Sequence, residues 1–125
     1  MVRVRIGDKT LFDADLADSF ASKLLGIMFR GTVLRAKFSR PLLFVFSHES
    51  RRENSIHSFF CFEKFDAVFL DSKKEITETI TSIRPWNPLI VQKAPCKYLI
   101  ELPSGKAGAF GLKEGAVLSF KTGPG

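Results

Sequence analysis

Several residue types that carry chemistry are scarce here. The chain has 125 residues but only two cysteines, two histidines, one tryptophan and one tyrosine. Cys61 and Cys96 lie far apart in sequence and form no C-x-x-C pair, so both read as reduced, buried thiols. With so few cysteines and histidines, and none at ligand spacing, no metal site is expected. Long apolar runs are missing too. The longest, Leu42 to Phe46, falls far short of the roughly 18 residues a spanning helix needs, so no membrane role is expected. The opening Met1-Val2-Arg3-Val4-Arg5-Ile6 has no hydrophobic signal core, so the cytoplasm is the expected location. No nucleophile elbow is present. Gly105, Gly108 and Gly111 are spaced G-x-x-G-x-x-G, which matches neither a dinucleotide fingerprint nor a P-loop, and no cofactor is expected. These glycines read as a tight connection that needs positive φ.

What the chain does have is phenylalanine, 13 of them, and basic charge, with 19 Lys and Arg against 13 Asp and Glu. Phenylalanine has no polar handle and ordinarily fills cores. An apolar fraction of 45% with 26% charged residues fits a globular domain, and the length fits one domain over residues 1–125, with 122–125 a frayed tail. Val2, Val4 and Ile6 alternate with Arg3 and Arg5, the period of a half-buried strand, and Gly7-Asp8 turns it back through Thr10 to Phe12. Asp18 caps an expected helix of about ten residues carrying Phe20, Leu24, Leu25 and Met28. Leu42 to Phe46 reads as a strand covered on both sides, and 47–55 as an exposed polar loop. Further strands are expected at 56–62, 67–70, 75–83, 97–102 and 116–120, with a turn at 71–74 and a short edge strand at 89–91 between prolines. The sum is a mainly β, α+β domain: a compact barrel-like or strongly bent antiparallel sheet with one short N-terminal helix.

Acid–base candidates are few. His48 sits in the polar loop, and His57 enters a phenylalanine-rich segment where a packed, hydrogen-bonded role is the ordinary one. Glu63 and Asp66 are three apart, which on a strand sends them to opposite faces. Glu101, between Ile100 and Leu102, faces away from both and reads as an exposed strand position. Lys23, Arg30, Arg35, Lys37 and Arg40 form a basic stretch with no acidic residue between Asp18 and Glu49.

Several segments, taken in order, resemble one family. Gly26-Ile27-Met28-Phe29-Arg30 resembles its G-L-M-F-R motif, and Leu43-Phe44-Val45-Phe46 its L-F-V-F strand. Ile56 to Cys61 followed by Asp66 to Asp71 is similar to its H-[ST]-F-F-M…D-V-[IV]-F-L-D segment. Arg84-Pro85-Trp86, Ala94 to Tyr98, Glu101 to Gly105 and Gly111-Leu112 complete the order. This resembles domain of unknown function 192, over residues 10 to 121. Departures are Cys61 in place of Met, Lys64-Phe65 in place of Pro-Ile, and Lys23 in place of Arg. The resemblance implies a compact, mostly β, barrel-like domain with a short helix and no established biochemical role. It also implies recurring polar positions at Arg30, His57, Asp66 and Glu101. At Asp66, a carboxylate ahead of a buried strand can bond turn amides.

The leading expectation is a non-catalytic binding module for an unknown small molecule or protein, with Arg30, His57, Phe59 and Trp86 as ligand-binding residues, because pockets combine apolar walls with sparse polar groups. One alternative is an enzyme with His57 and Asp66 as an acid/base pair and Arg30 as an anion clamp. Another is nucleic-acid contact through 23–40, which the lack of an RNA-recognition stacking motif disfavours. The phenylalanine patch at 59–62 would also serve a homodimer.

Overall fold

The computed structural model describes residues 1–17, 41–50, 64–84 and 92–122. These contain strands β1 (Val2–Ile6), β2 (Lys9–Ala17), β3 (Leu42–Ser50), β4 (Phe65–Leu70), β5 (Ile76–Ile83) and β6 (Cys96–Pro103), then one helical turn, α1 (Lys106–Ala109). The expected helix after Asp18, the strand at 56–62 and the edge strand at 89–91 lie outside the described residues. Among those described, no helix is long and apolar enough to cross a membrane.

The strands order as β1-β2-β3-β6-β4-β5. The β1–β2 hairpin forms at Gly7-Asp8 as its alternation predicts, with Gly7 at φ 55. Corrections to the expected fold follow. The sheet is mixed rather than antiparallel: Asp15, Leu16 and Ala17 run parallel to Leu42, Leu43 and Phe44. A parallel pair needs a crossover of a dozen residues or more, and the chain between Ala17 and Leu42 is long enough to supply it. β3 also continues through Ser50, so the polar stretch expected as a loop begins as strand.

A further correction concerns 116–120. Burial alternates there as in a strand, with Leu118 and Phe120 buried and Val117 and Ser119 exposed. The segment makes only isolated bridges, however, because each end meets a different strand. Val117 pairs with Glu75 just before β5, and Ser119 exchanges two backbone bonds with Arg5 of β1, at 2.9 and 2.8 Å. The Leu118 N–H donates to the Lys74 carbonyl at 2.9 Å. β1 and β5 do not pair directly, and 116–119 touches both edges.

Leu42 to Phe46 of β3, together with β4 and β6, is covered on both faces, as that unbroken run predicts. Their alternate residues feed two clusters. One holds Leu42, Phe44, Phe65, Phe69 and Leu99. The other holds Leu43, Val68, Leu70, Ile100 and Leu102, with Val4, Phe12 and Leu118 packed over them.

The 92–95 turn is pinned from outside. The Lys93 N–H donates to Glu78 Oε1 at 2.8 Å, and the Lys93 ammonium pairs with Glu114. Glu114 raises that ammonium above its ordinary 10.5. A folded value above the unfolded one contributes stability that is full below 10.5 and fades as pH climbs through the folded value. Melts of wild type and Lys93→Ala are expected to differ slightly at neutral pH and to converge at strongly alkaline pH, since exposed pairs contribute little.

Candidate functional site

Two carboxylates are buried among the described residues, Asp66 at 0% and Glu101 at 2% exposure. They sit on adjacent strands, where Asp66 pairs with Leu102 and Ala67 with Glu101. Consecutive residues on a strand point to opposite faces, so the two carboxylates face away from each other. They also have different surroundings.

Asp66 is held by backbone donors. Oδ1 accepts the Ser82 N–H at 2.8 Å, and Oδ2 accepts those of Gly105 and Ala107, both at 3.0 Å. These donors belong to backbone that needs holding. Ser82 lies in the left-handed region at φ 52, where β5 leaves its regular register, and Gly105 at φ 92 opens α1. The Ser82 and Ser104 hydroxyls meet at 2.9 Å beside this clamp. The carboxylate bonding turn amides is therefore present as the residue pattern suggested.

Glu101 is the position that alternation misplaced. It does face away from Ile100 and Leu102, but into a second core rather than into solvent. Its cross-strand neighbours are Leu42 and Ala67, both members of the phenylalanine-rich cluster. Two residues before it on the same face, Leu99 stands between Phe44 and Phe69; two residues after, Pro103 stands opposite Phe65. The carboxylate therefore sits in the middle of an apolar, aromatic face. A charge in such a place is kept only where hydrogen bonds or a counter-charge compensate it. The sequence signal was present: Tyr98-Leu99-Ile100-Glu101-Leu102 is a nearly unbroken apolar run, the mark of a strand covered on both sides.

Arg30, His57, Phe59 and Trp86 lie outside the described residues, as do Cys61, Glu63 and the basic stretch 23–40. Cys96 is buried, and its sulfur accepts a hydrogen bond from Gln92 Nε2 at 3.1 Å. Among the described residues no three His, Cys, Asp or Glu side chains converge as a metal-ligating group.

Known proteins share this architecture. The structure is similar to that of a protein of unknown function from Novosphingobium aromaticivorans, with a TM-score of 0.72, 18% identity, and coverage of 94% of this chain and 82% of that one. By sequence the chain is 35% identical over 120 residues to a UPF0127 protein of Pyrococcus furiosus, covering 96% of this chain and 97% of the relative. It is 38% identical over 90 residues to a UPF0127 protein of Pyrococcus horikoshii, covering 72% and 71%. The family model of domain of unknown function 192, described as Uncharacterized ACR, matches residues 2–120, and the chain belongs to that family.

Proposed function

We propose that this chain is a non-catalytic binding module of the cytoplasm, taking a small molecule against the phenylalanine-rich face that carries Glu101. The observation that supports this most is the carboxylate itself, an ionisable group whose described neighbours on that face include Leu42, Phe44, Phe65, Phe69 and Leu99. Mostly apolar walls with one or two placed polar groups are the ordinary make-up of a ligand site. A barrel-like closure, with 116–119 as its seam, accompanies this reading and is supported by the bridges to β1 and β5. Arg30, His57, Phe59 and Trp86 enter the proposal as further ligand contacts.

The enzyme alternative has less support. Its acid/base pair needs the Asp66 carboxylate, both of whose oxygens already accept backbone N–H groups, three in all. A carboxylate committed to holding backbone in this way is poorly placed to remove a proton.

The test is a thermal-shift screen of a metabolite library, followed by calorimetry on the hits. Glu101→Gln keeps the side chain's shape and removes its charge. It is expected to weaken a hit by about tenfold or more, the order of one lost charged hydrogen bond. Phe59→Ala and Trp86→Ala are expected to weaken it as well. If affinity is unchanged in all three folded variants, the site assignment is wrong.

A further inference from the structure

One surface feature has no part in that reading. Where β1 meets the segment after Leu118, a groove of about 260 Å³ opens between Val2, Arg3, Arg5, Ser119, Phe120 and Lys121. It borders the core cluster on the sheet face opposite Glu101, since Val2 and Phe120 belong to that cluster.

Its construction follows from the strand period. Val2 and Val4 point inward, so Arg3 and Arg5 share the outer face. Across from them Leu118 and Phe120 point inward, so Ser119 and Lys121 are outward. The paired backbone bonds between Arg5 and Ser119 lock the two segments together, which puts two guanidinium forks, one ammonium and one hydroxyl around a single depression. No acidic residue lines it.

The charges are only partly cancelled. Arg3 is ion-paired, its Nε meeting Asp13 Oδ1 of β2 at 3.2 Å, although Asp13 does not line the groove. The Arg5 guanidinium donates to the Asp8 carbonyl at 3.2 Å, a neutral acceptor that leaves its charge intact. Lys74 adds a further cation behind the groove, its ammonium donating to the Phe120 carbonyl at 2.6 Å and lying 4.7 Å from that ring's centre.

We infer that this groove binds a phosphate-bearing anion, specifically a di- or polyphosphate group. Arginine forks match phosphate oxygens two at a time, which ammonium groups do not. Same-face positions on a strand repeat at about 7 Å, so the cations are spread too widely for one small ion and suit an anion with several charged oxygens. The inference does not depend on a ligand at Glu101, and the two can fail separately.

Calorimetry of the full chain with inorganic pyrophosphate at low salt tests it, with orthophosphate and a nucleoside diphosphate as parallel arms. Saturable pyrophosphate binding is expected, weakening as salt is added. Arg5→Gln and Lys121→Gln each leave the Arg5–Ser119 backbone bonds in place. Each is expected to weaken binding by about threefold and the pair by about tenfold, the scale of exposed charge contacts. Lys113→Gln and Lys73→Gln make the same change in net charge at exposed positions outside the groove, and are expected to leave affinity unchanged. Tighter binding of the nucleoside diphosphate would point to a nucleotide source, and equal binding to the phosphoanhydride alone; either supports the inference. Lack of saturable pyrophosphate binding, orthophosphate binding as tightly as pyrophosphate, or equal loss in the Lys113 and Lys73 variants would overturn it.

Discussion

Asp66→Ala is expected to lower the melting temperature by about 10 °C or more, the largest effect of any single polar substitution described above. The side chain accepts three backbone N–H groups, from Ser82, Gly105 and Ala107. Removing it leaves buried donors without their acceptor and releases a left-handed serine from the bond that holds it. Hydrogen bonds to charged groups contribute about 1.5–3 kcal/mol each, and an abandoned buried donor costs about 1–3 kcal/mol. Even with heavy overlap, a loss of about 3–5 kcal/mol follows, a large share of the 5–15 kcal/mol that holds an ordinary domain together. Asp66→Asn sharpens the test. Both oxygens of the aspartate accept, whereas asparagine offers one oxygen and one NH2. Whichever way the amide turns, its NH2 confronts at least one backbone N–H. The asparagine variant should therefore lose about 2 kcal/mol or more in urea denaturation. A variant that melts with wild type would mean the clamp contributes little.

Phe69→Ala is expected to cost about 3–5 kcal/mol, the usual range for a large aromatic removed from a core. Phe69 is completely buried on central strand β4 and stands in register between Leu99 of β6 and Glu78 of β5. Rigid strands on either side limit how far the site can collapse, which keeps the cost near the upper end. The midpoint of urea unfolding reads this directly. The slope should stay the same, because the surface exposed on unfolding hardly changes. A loss below about 1.5 kcal/mol would show that the face around Glu101 is loosely packed and can close over a missing ring.

Local signals carried much of this fold. Alternation placed β1, and β-branched density placed β5. A continuous apolar run placed β3 between two covered faces, and the turn at Asp71 follows from its side chain accepting the Lys73 and Glu75 N–H groups. What local signals do not encode is partnership. Nothing in Asp15 to Ala17 says that its partner is Leu42 to Phe44, or that the pairing is parallel. The stretch 116–120 shows the same limit, since its inside–outside pattern was legible but its two different partners were not. Among the candidate residues, Asp66 was readable because its partners are turn amides, a habit of short acidic side chains. Glu101 was not, because a period-two argument assigns it a face without saying that the face is covered. Only the apolar residues on every side of it carry that information.

The bridges made by 116–119 also have a bearing on how the chain comes off the ribosome. An uncovered strand edge is a template for pairing with other chains, and proteins ordinarily hide it. Here the segment that covers part of β1 and part of β5 follows every strand described above. A nascent chain can thus assemble its β1–β2 hairpin and its β4–β5–β6 ladder early, yet both outer edges stay uncovered until 116–119 emerges. Intermolecular pairing competes with folding during such intervals. Translation pausing just before this segment should therefore raise aggregation more than a pause of equal length between β2 and β3.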